Sequence, residues 1–228
     1  MVEFAALLMS VVLMGQQTAG QQAEAAKLEA CLAQVRENPT AGLEAAQRWL
    51  AMADQPASRH CVAIGLIATG QPAEGASRLR DLANAPNAGG VDERALYLTI
   101  SGNAWLMAGA PDNAVATFNS ALQLKPQDAG LHEDRARGQM ALRKFAEAES
   151  DLDEALRLSP GDGEAYQLRA MARFSQRKFD PALADAEAAI RIDPQNMRLL
   201  TLRGDIIEAR RQATEIPVGS PVVVAPQR

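Results

Sequence analysis

Apolar and small residues in the middle of this chain return every three or four positions, first from Ala95 to Ala108 and again from Asn113 to Leu124. That spacing puts them on one face of a 3.6-residue helix. Between the two stretches stands Gly109-Ala110-Pro111-Asp112. Gly109 can take the left-handed conformation that ends a helix, and Pro111 has the fixed φ that suits the start of the next. Pro126 then stops the second stretch, since it offers no N–H and clashes with the preceding turn. The pattern predicts two amphipathic helices joined by a tight turn.

The same block recurs. Pro126, Pro160 and Pro194 are evenly spaced, and the same interval separates Ala114, Ala148 and Ala182. Ala121, Ala155 and Ala189 keep the step, as do Leu122, Leu156 and Ile190, and Leu124, Leu158 and Ile192. Self-similarity at a fixed step of this size is the mark of a helical repeat. One helix pair cannot bury its own apolar face, so copies at 95–128, 129–162 and 163–196 are expected to stack. Degenerate pairs are expected at 23–54 and 56–84. Their helices are Ala23–Glu37 and Ala41–Met52, then Ser58–Thr69 and Ala73–Ala83, with turns at Asn38-Pro39-Thr40 and Gly70-Gln71-Pro72. The stretch Ala85–Gly90 reads as a loop. Met197–Arg211 reads as a lone capping helix whose Arg198, Glu208, Arg210 and Arg211 solvate its outer face. Residues 213–228, with Pro217, Pro221 and Pro226, read as a disordered tail.

Gly102, Gly109, Ala114, Phe118, Ala121 and Pro126 resemble the signature columns of the tetratricopeptide repeat family. Ala136, Phe145, Ala148, Ala155 and Pro160 follow in the next copy, and Tyr166, Ala170, Phe179, Ala182, Ala189 and Pro194 in the third. Leu152 and Ala186 depart from it, standing where an aromatic is common. The resemblance implies an all-α fold, a right-handed α-solenoid of antiparallel helix pairs over 21–212. It also implies a groove lined by the first helices that binds a protein or peptide and catalyses nothing. The family's groove columns fall on Thr99, Asn103 and Leu106, on Glu133, Arg137 and Met140, and on Gln167, Met171 and Phe174. Leu106, Met140 and Phe174 have a second reading, as packing between repeats. Of the family's carboxylate-clamping set only Asn103 matches, so a receptor for chaperone tails is not expected.

A further ladder at the same step is Arg135, Arg169, Arg203, which reads either as a basic stripe for an acidic peptide or as one side of a set of structural pairs. Asp151 follows Arg135 at the same interval as Asp185 follows Arg169, and where the first position is Ser101 the second is Thr117. Loss of both partners together predicts structural ion pairs, Arg135 with Asp151 and Arg169 with Asp185. Read as partly exposed, each is worth about 0–1 kcal/mol. Arg203 has no following second helix and is the freest.

Composition adds exclusions. The chain is 47% hydrophobic, 22% charged and 4% aromatic, with formal charge −5. An acidic balance without a long run of either sign argues against a nucleic-acid partner. His60 and His132 have no companions at metal-ligand or triad spacing, and His132 reads as a plain helix-surface residue. No glycine-rich phosphate loop is present. No cofactor, metal, catalytic group or small-molecule substrate is expected. Cys31 and Cys61 fall on first helices of neighbouring pairs; they are read either as a disulfide staple or as two small buried hydrophobes. The apolar run Phe4–Met14 is too short to span a bilayer but has the size of a signal-peptide core. Small residues at Thr18, Gly20, Ala23 or Ala25 fit a cleavage site, while Glu3 and the lack of Lys or Arg before the run do not fit a leader. The alternatives are a segment spanning 1–20 that directs export to the periplasm or beyond, and an uncleaved helix of a cytoplasmic scaffold that packs on the first pair. Only an uncleaved segment would bring the chain to a membrane.

Overall fold

The computed structural model describes residues 19–215, and among them the chain forms eleven α-helices and no strand. They are α1 (Ala19–Glu37), α2 (Pro39–Met52), α3 (Pro56–Ala68), α4 (Pro72–Asn84), α5 (Val91–Met107), α6 (Pro111–Leu124), α7 (Ala129–Ala141), α8 (Phe145–Leu158), α9 (Gly163–Ser175), α10 (Phe179–Ile192) and α11 (Met197–Glu215). The chain divides into two units, one ending at Ala110 and the other starting at Pro111. The apolar run Phe4–Met14 and the chain beyond Glu215 lie outside the described residues.

Pro39, Pro56, Pro72 and Pro111 each open a helix. Pro39 and Pro72 read as turn residues from sequence, but a first helical residue has no intrahelical N–H bond to lose. Asn38 caps α2 by accepting the Ala41 N–H at 3.1 Å. Helix α5 begins at Val91, earlier than expected, because Glu93 accepts the Gly90 N–H at 2.9 Å and closes the first turn. Arg94 donates to the carbonyls of Ala83 and Ala85 and ties the preceding loop to α4. Helix α11 runs on to Glu215, held by Arg211 between Glu208 and Glu215, so Ala213–Glu215 are helix and not tail.

In the first unit α1 packs on α2 and α3, α3 on α4, and α4 on α5. Val35, Leu43, Ala46, Trp49, Val62 and Leu66 fill one cluster, together with Cys31 and Cys61. Each large side chain buried there contributes about 1.5–3 kcal/mol by leaving water. Helices α1 and α2 nearly touch: a Cβ on Gly42 would stand 2.5 Å from the Val35 Cα. Only glycine fits.

The second unit is a row of hairpins, α7 with α8 and α9 with α10, flanked by α6 and α11. The alanine columns found by spacing point inward here. Ala114, Ala148 and Ala182, and Ala121, Ala155 and Ala189, are all fully buried. Small side chains let the backbones close up, with Phe118, Leu152, Leu156 and Ile206 supplying bulk. Among the described residues no helix is long and apolar enough to cross a membrane.

Candidate functional site

In the first unit the expected groove residues Thr99, Asn103 and Leu106 are half-buried on α5. The Thr99 hydroxyl is turned back onto the Ala95 carbonyl at 2.8 Å. In the second unit Met140 packs against the cluster of Ala136, Leu152 and Leu156. Phe174 packs beside Phe179, ring centres 6.2 Å apart, against Ala170 and Ile206. These two fulfil the packing reading of their positions.

Glu133 and Arg137 are not a simple groove lining either. Glu133 is buried, and its carboxyl is pushed up to about 7. Burial is the main cause, then the nearby Asp162 charge, against the opposing pull of Arg137. Arg137 lies 2.6 Å from Asp134, 2.8 Å from Glu164 on α9 and 3.5 Å from Glu133. One guanidinium stands among carboxylates of two neighbouring first helices, so the cation is already neutralised. The Asp162 carboxylate caps α9 by accepting the N–H groups of Glu164 and Ala165.

Open space lies further along. Between α9 and α11 is a pocket of about 470 Å³ lined by Gln167, Met171, Met197, Arg198, Thr201, Leu202 and Asp205. Met171 and Met197 are 37% and 70% exposed, bare sulfur-bearing chains beside hydroxyl, amide and charged groups. A second hollow of about 350 Å³ shares Gln167 and Arg198 and adds Glu164 and Asp193. The α11 residues were missed from sequence, yet the signal was present. Arg198, Thr201 and Asp205 stand one full repeat step after Glu164, Gln167 and Met171. Treating α11 as a cap hid a helix that lines a pocket with α9.

Ion pairs knit this unit. Arg135 grips Asp151 on α8 through Nε at 2.8 Å and Nη2 at 2.5 Å, and reaches Asn119 on α6 with Nη1 at 2.8 Å. Arg169 repeats the grip on Asp185, at 3.0 and 2.7 Å, and reaches Asp153 at 2.7 Å. Each arginine therefore ties three helices, and the backward partners Asn119 and Asp153 were not foreseen. Asp151 and Asp185 are only 6% and 4% exposed, while Arg135 and Arg169 keep 24% and 15%, so each pair is partly exposed at its arginine end alone. His132 is corrected too: it is no plain surface residue but sits 3.1 Å from both Asp151 and the Pro126 carbonyl. Arg173 joins Asp185 to Glu149, which also accepts from Lys178 and Gln176. Burial pushes the Glu149 carboxyl up, but these donors outweigh it and hold it at about 2. Arg203 is exposed and makes no ion pair among the described residues.

A disulfide joins Cys31 on α1 to Cys61 on α3, with Cα atoms 6.3 Å apart. His60, buried against the edge of Tyr97, is driven by burial down to about 4 and is neutral. Among the described residues no three His, Cys, Asp or Glu side chains come together to hold a metal.

Tandem helix pairs, small at their crossings and polar along the first-helix face, define a helical-repeat protein. The chain belongs to the tetratricopeptide repeat family, whose model matches residues 163–196. The first such domain of Spaghetti (RPAP3), solved bound to the HSP90 peptide SRMEEVD, is 31% identical; the match covers 51% of this chain and 93% of that one, with a TM-score of 0.50. The first domain of human RPAP3 is 30% identical over 53% and 94% of the two chains, with a TM-score of 0.51. TTC0263 of Thermus thermophilus, 19% identical over 81% and 99%, shares the fold with a TM-score of 0.55. No curated protein sequence matches the chain.

Proposed function

We propose that this protein is a non-enzymatic interaction scaffold that takes a peptide or protein segment onto the first helices of its second unit, in the periplasm of a bacterial envelope. The observation that carries the reading is the pocket between α9 and α11, where Met171 and Met197 are exposed next to Gln167 and Thr201. Methionine adapts to varied apolar side chains, the Gln167 amide can bond a backbone, and the Thr201 hydroxyl, which donates to the Met197 carbonyl, can still accept from one. The Spaghetti domain's capture of SRMEEVD supports peptide binding as the use of this fold. Support for the compartment comes from the run Phe4–Met14 and from the Cys31–Cys61 bond, because disulfides persist where thiols are not kept reduced.

A photo-crosslinking residue placed at Gln167, in cells making the full chain, tests the site. A discrete crosslinked product is expected there and none from the same group at Glu187, exposed on α10. Products from Glu187 alone, or from neither, would overturn the reading. Mass spectrometry of the chain's N-terminus tests the compartment: a new terminus between Thr18 and Ala25 is expected, and an intact Met1 argues against export.

A further inference from the structure

We infer that the first-helix face of the second unit selects segments carrying Lys or Arg next to an apolar anchor, and rejects acidic tails. The inference rests on the groove reading above and names the chemistry of its occupant. The apolar half of the site is the Met171–Met197 pocket, large enough for one or two side chains. The polar half is strongly one-sided. Arg137 is held by Asp134 and Glu164, so its charge is spent within its own cluster. Asp193 and Asp205 line the adjoining hollows, where Arg198 is the one further cation among the described lining residues. Glu164 has about two-thirds of its side chain exposed at the junction of cluster and pocket, the place where an incoming cation is met first.

Charge complementarity then sets the partner. A carboxylate entering beside Met171 meets Asp205, one entering the adjoining hollow meets Glu164 and Asp193, and like charges brought together cost binding. A lysine or arginine finds those groups without having to displace an existing partner at Asp205, which makes no ion pair among the described residues. Acidic peptides such as the one carried by the Spaghetti domain therefore suit this face badly.

Random peptides displayed with free ends and selected on the full-length protein test this directly. Enriched sequences should hold Lys or Arg within a few positions of Met, Leu or Phe. Fluorescence anisotropy of an enriched peptide should show binding weakened about fivefold by Glu164→Lys, as for loss of one exposed charge contact. Met171→Ala should weaken it as well, Glu187→Lys should leave it unchanged, and added salt should lower it. Enrichment of acidic peptides, or of free C-terminal carboxylates, that still lose affinity with Met171→Ala would leave the groove in place and overturn the charge selection. No enrichment, or binding indifferent to both groove substitutions, would overturn the groove itself.

Discussion

The two units apply one helix-pair plan with different cement. In the first, Trp49, Leu43, Leu66, Val35 and Val62 fill the gaps between helices, and a covalent bond fastens α1 to α3. In the second, alanine columns bring the helices close, and Arg135 and Arg169 each tie three of them, forward through the nearly buried Asp151 or Asp185 and backward through the more exposed Asn119 or Asp153. Bulk and a covalent link tolerate irregular repeats, since each gap is filled by its own side chains. Shared guanidiniums do not. An arginine that must reach one helix forward and one helix back, at equal distances along the chain, demands a constant stride. Regularity in the second unit is thus the geometric consequence of how its neighbouring pairs are joined.

The largest effect is expected where the covalent link is removed. Replacing Cys31 and Cys61 together by Ala frees a sequence separation of 30. Restored chain entropy in the unfolded state should cost about 3–4 kcal/mol. Both tryptophans, Trp49 and Trp105, lie in the first unit, so fluorescence reports its unfolding selectively. Amide exchange should accelerate in α1 to α3 while α8 to α10 keep their protection. An unmoved fluorescence transition would remove the disulfide from the account.

Breaking the other cement comes next. Asp185→Ala leaves Arg169 and Arg173 without the carboxylate that both contact in a nearly buried setting. Removing one partner of such a group costs up to about 3 kcal/mol, here lessened because Arg169 keeps Asp153 and Arg173 keeps Glu149. Protection should fall across α9 and α10, and chemical denaturation followed by far-UV circular dichroism should show the loss. A cost under about 0.5 kcal/mol would mean that the ladder contributes no more than surface pairs do.

A smaller test separates the units by pH. The Glu133 carboxyl is raised to about 7 when folded. The folded state thus holds this proton where the unfolded chain releases it, and stability falls as pH climbs from about 4.5 to 7. Glu133→Gln should abolish that slope and gain up to about 3 kcal/mol above neutrality, less what the lost attraction to Arg137 costs. The stability of Glu133→Gln and of the parent should converge at pH 4. Equal pH profiles for the two would dismiss Glu133 as the source.

These contrasts also explain what could be read from the chain beforehand. The stride, the alanine columns and the Arg–Asp positions were visible because a shared ion pair forces identity at fixed intervals. The first unit showed its degenerate pairs and their turns but few recurring columns, since Trp49 or Leu79 can fill a gap without recurring elsewhere. Charge alone hid the burial of Asp151 and the confinement of Arg137, because both depend on side chains from a neighbouring helix. His132 was misjudged for that reason. The α11 face escaped notice although its residues keep the repeat step, since a terminal helix was expected to be a solvated cap.

The smallest effect concerns the turns. At one stride, Gly109, Arg143 and Arg177 all take positive φ, at 69°, 60° and 61°. Glycine adopts this conformation without strain, whereas a side chain there costs about 1 kcal/mol. Each arginine has its compensation in place: the Arg177 guanidinium stands 5.4 Å from the Phe179 ring centre and that of Arg143 stands 6.0 Å from Phe145. An exposed stacking of this kind returns about 0.5–1 kcal/mol. Arg177→Gly removes strain and stacking together and should change stability by less than about 0.5 kcal/mol. Arg177→Ala keeps the strain, loses the ring, and should cost about 0.5–1 kcal/mol. If Arg177→Gly instead stabilises by a full strain term of about 1 kcal/mol, the ring contact is worth nothing, and the arginine at that turn must be held there by something other than the hairpin's own stability.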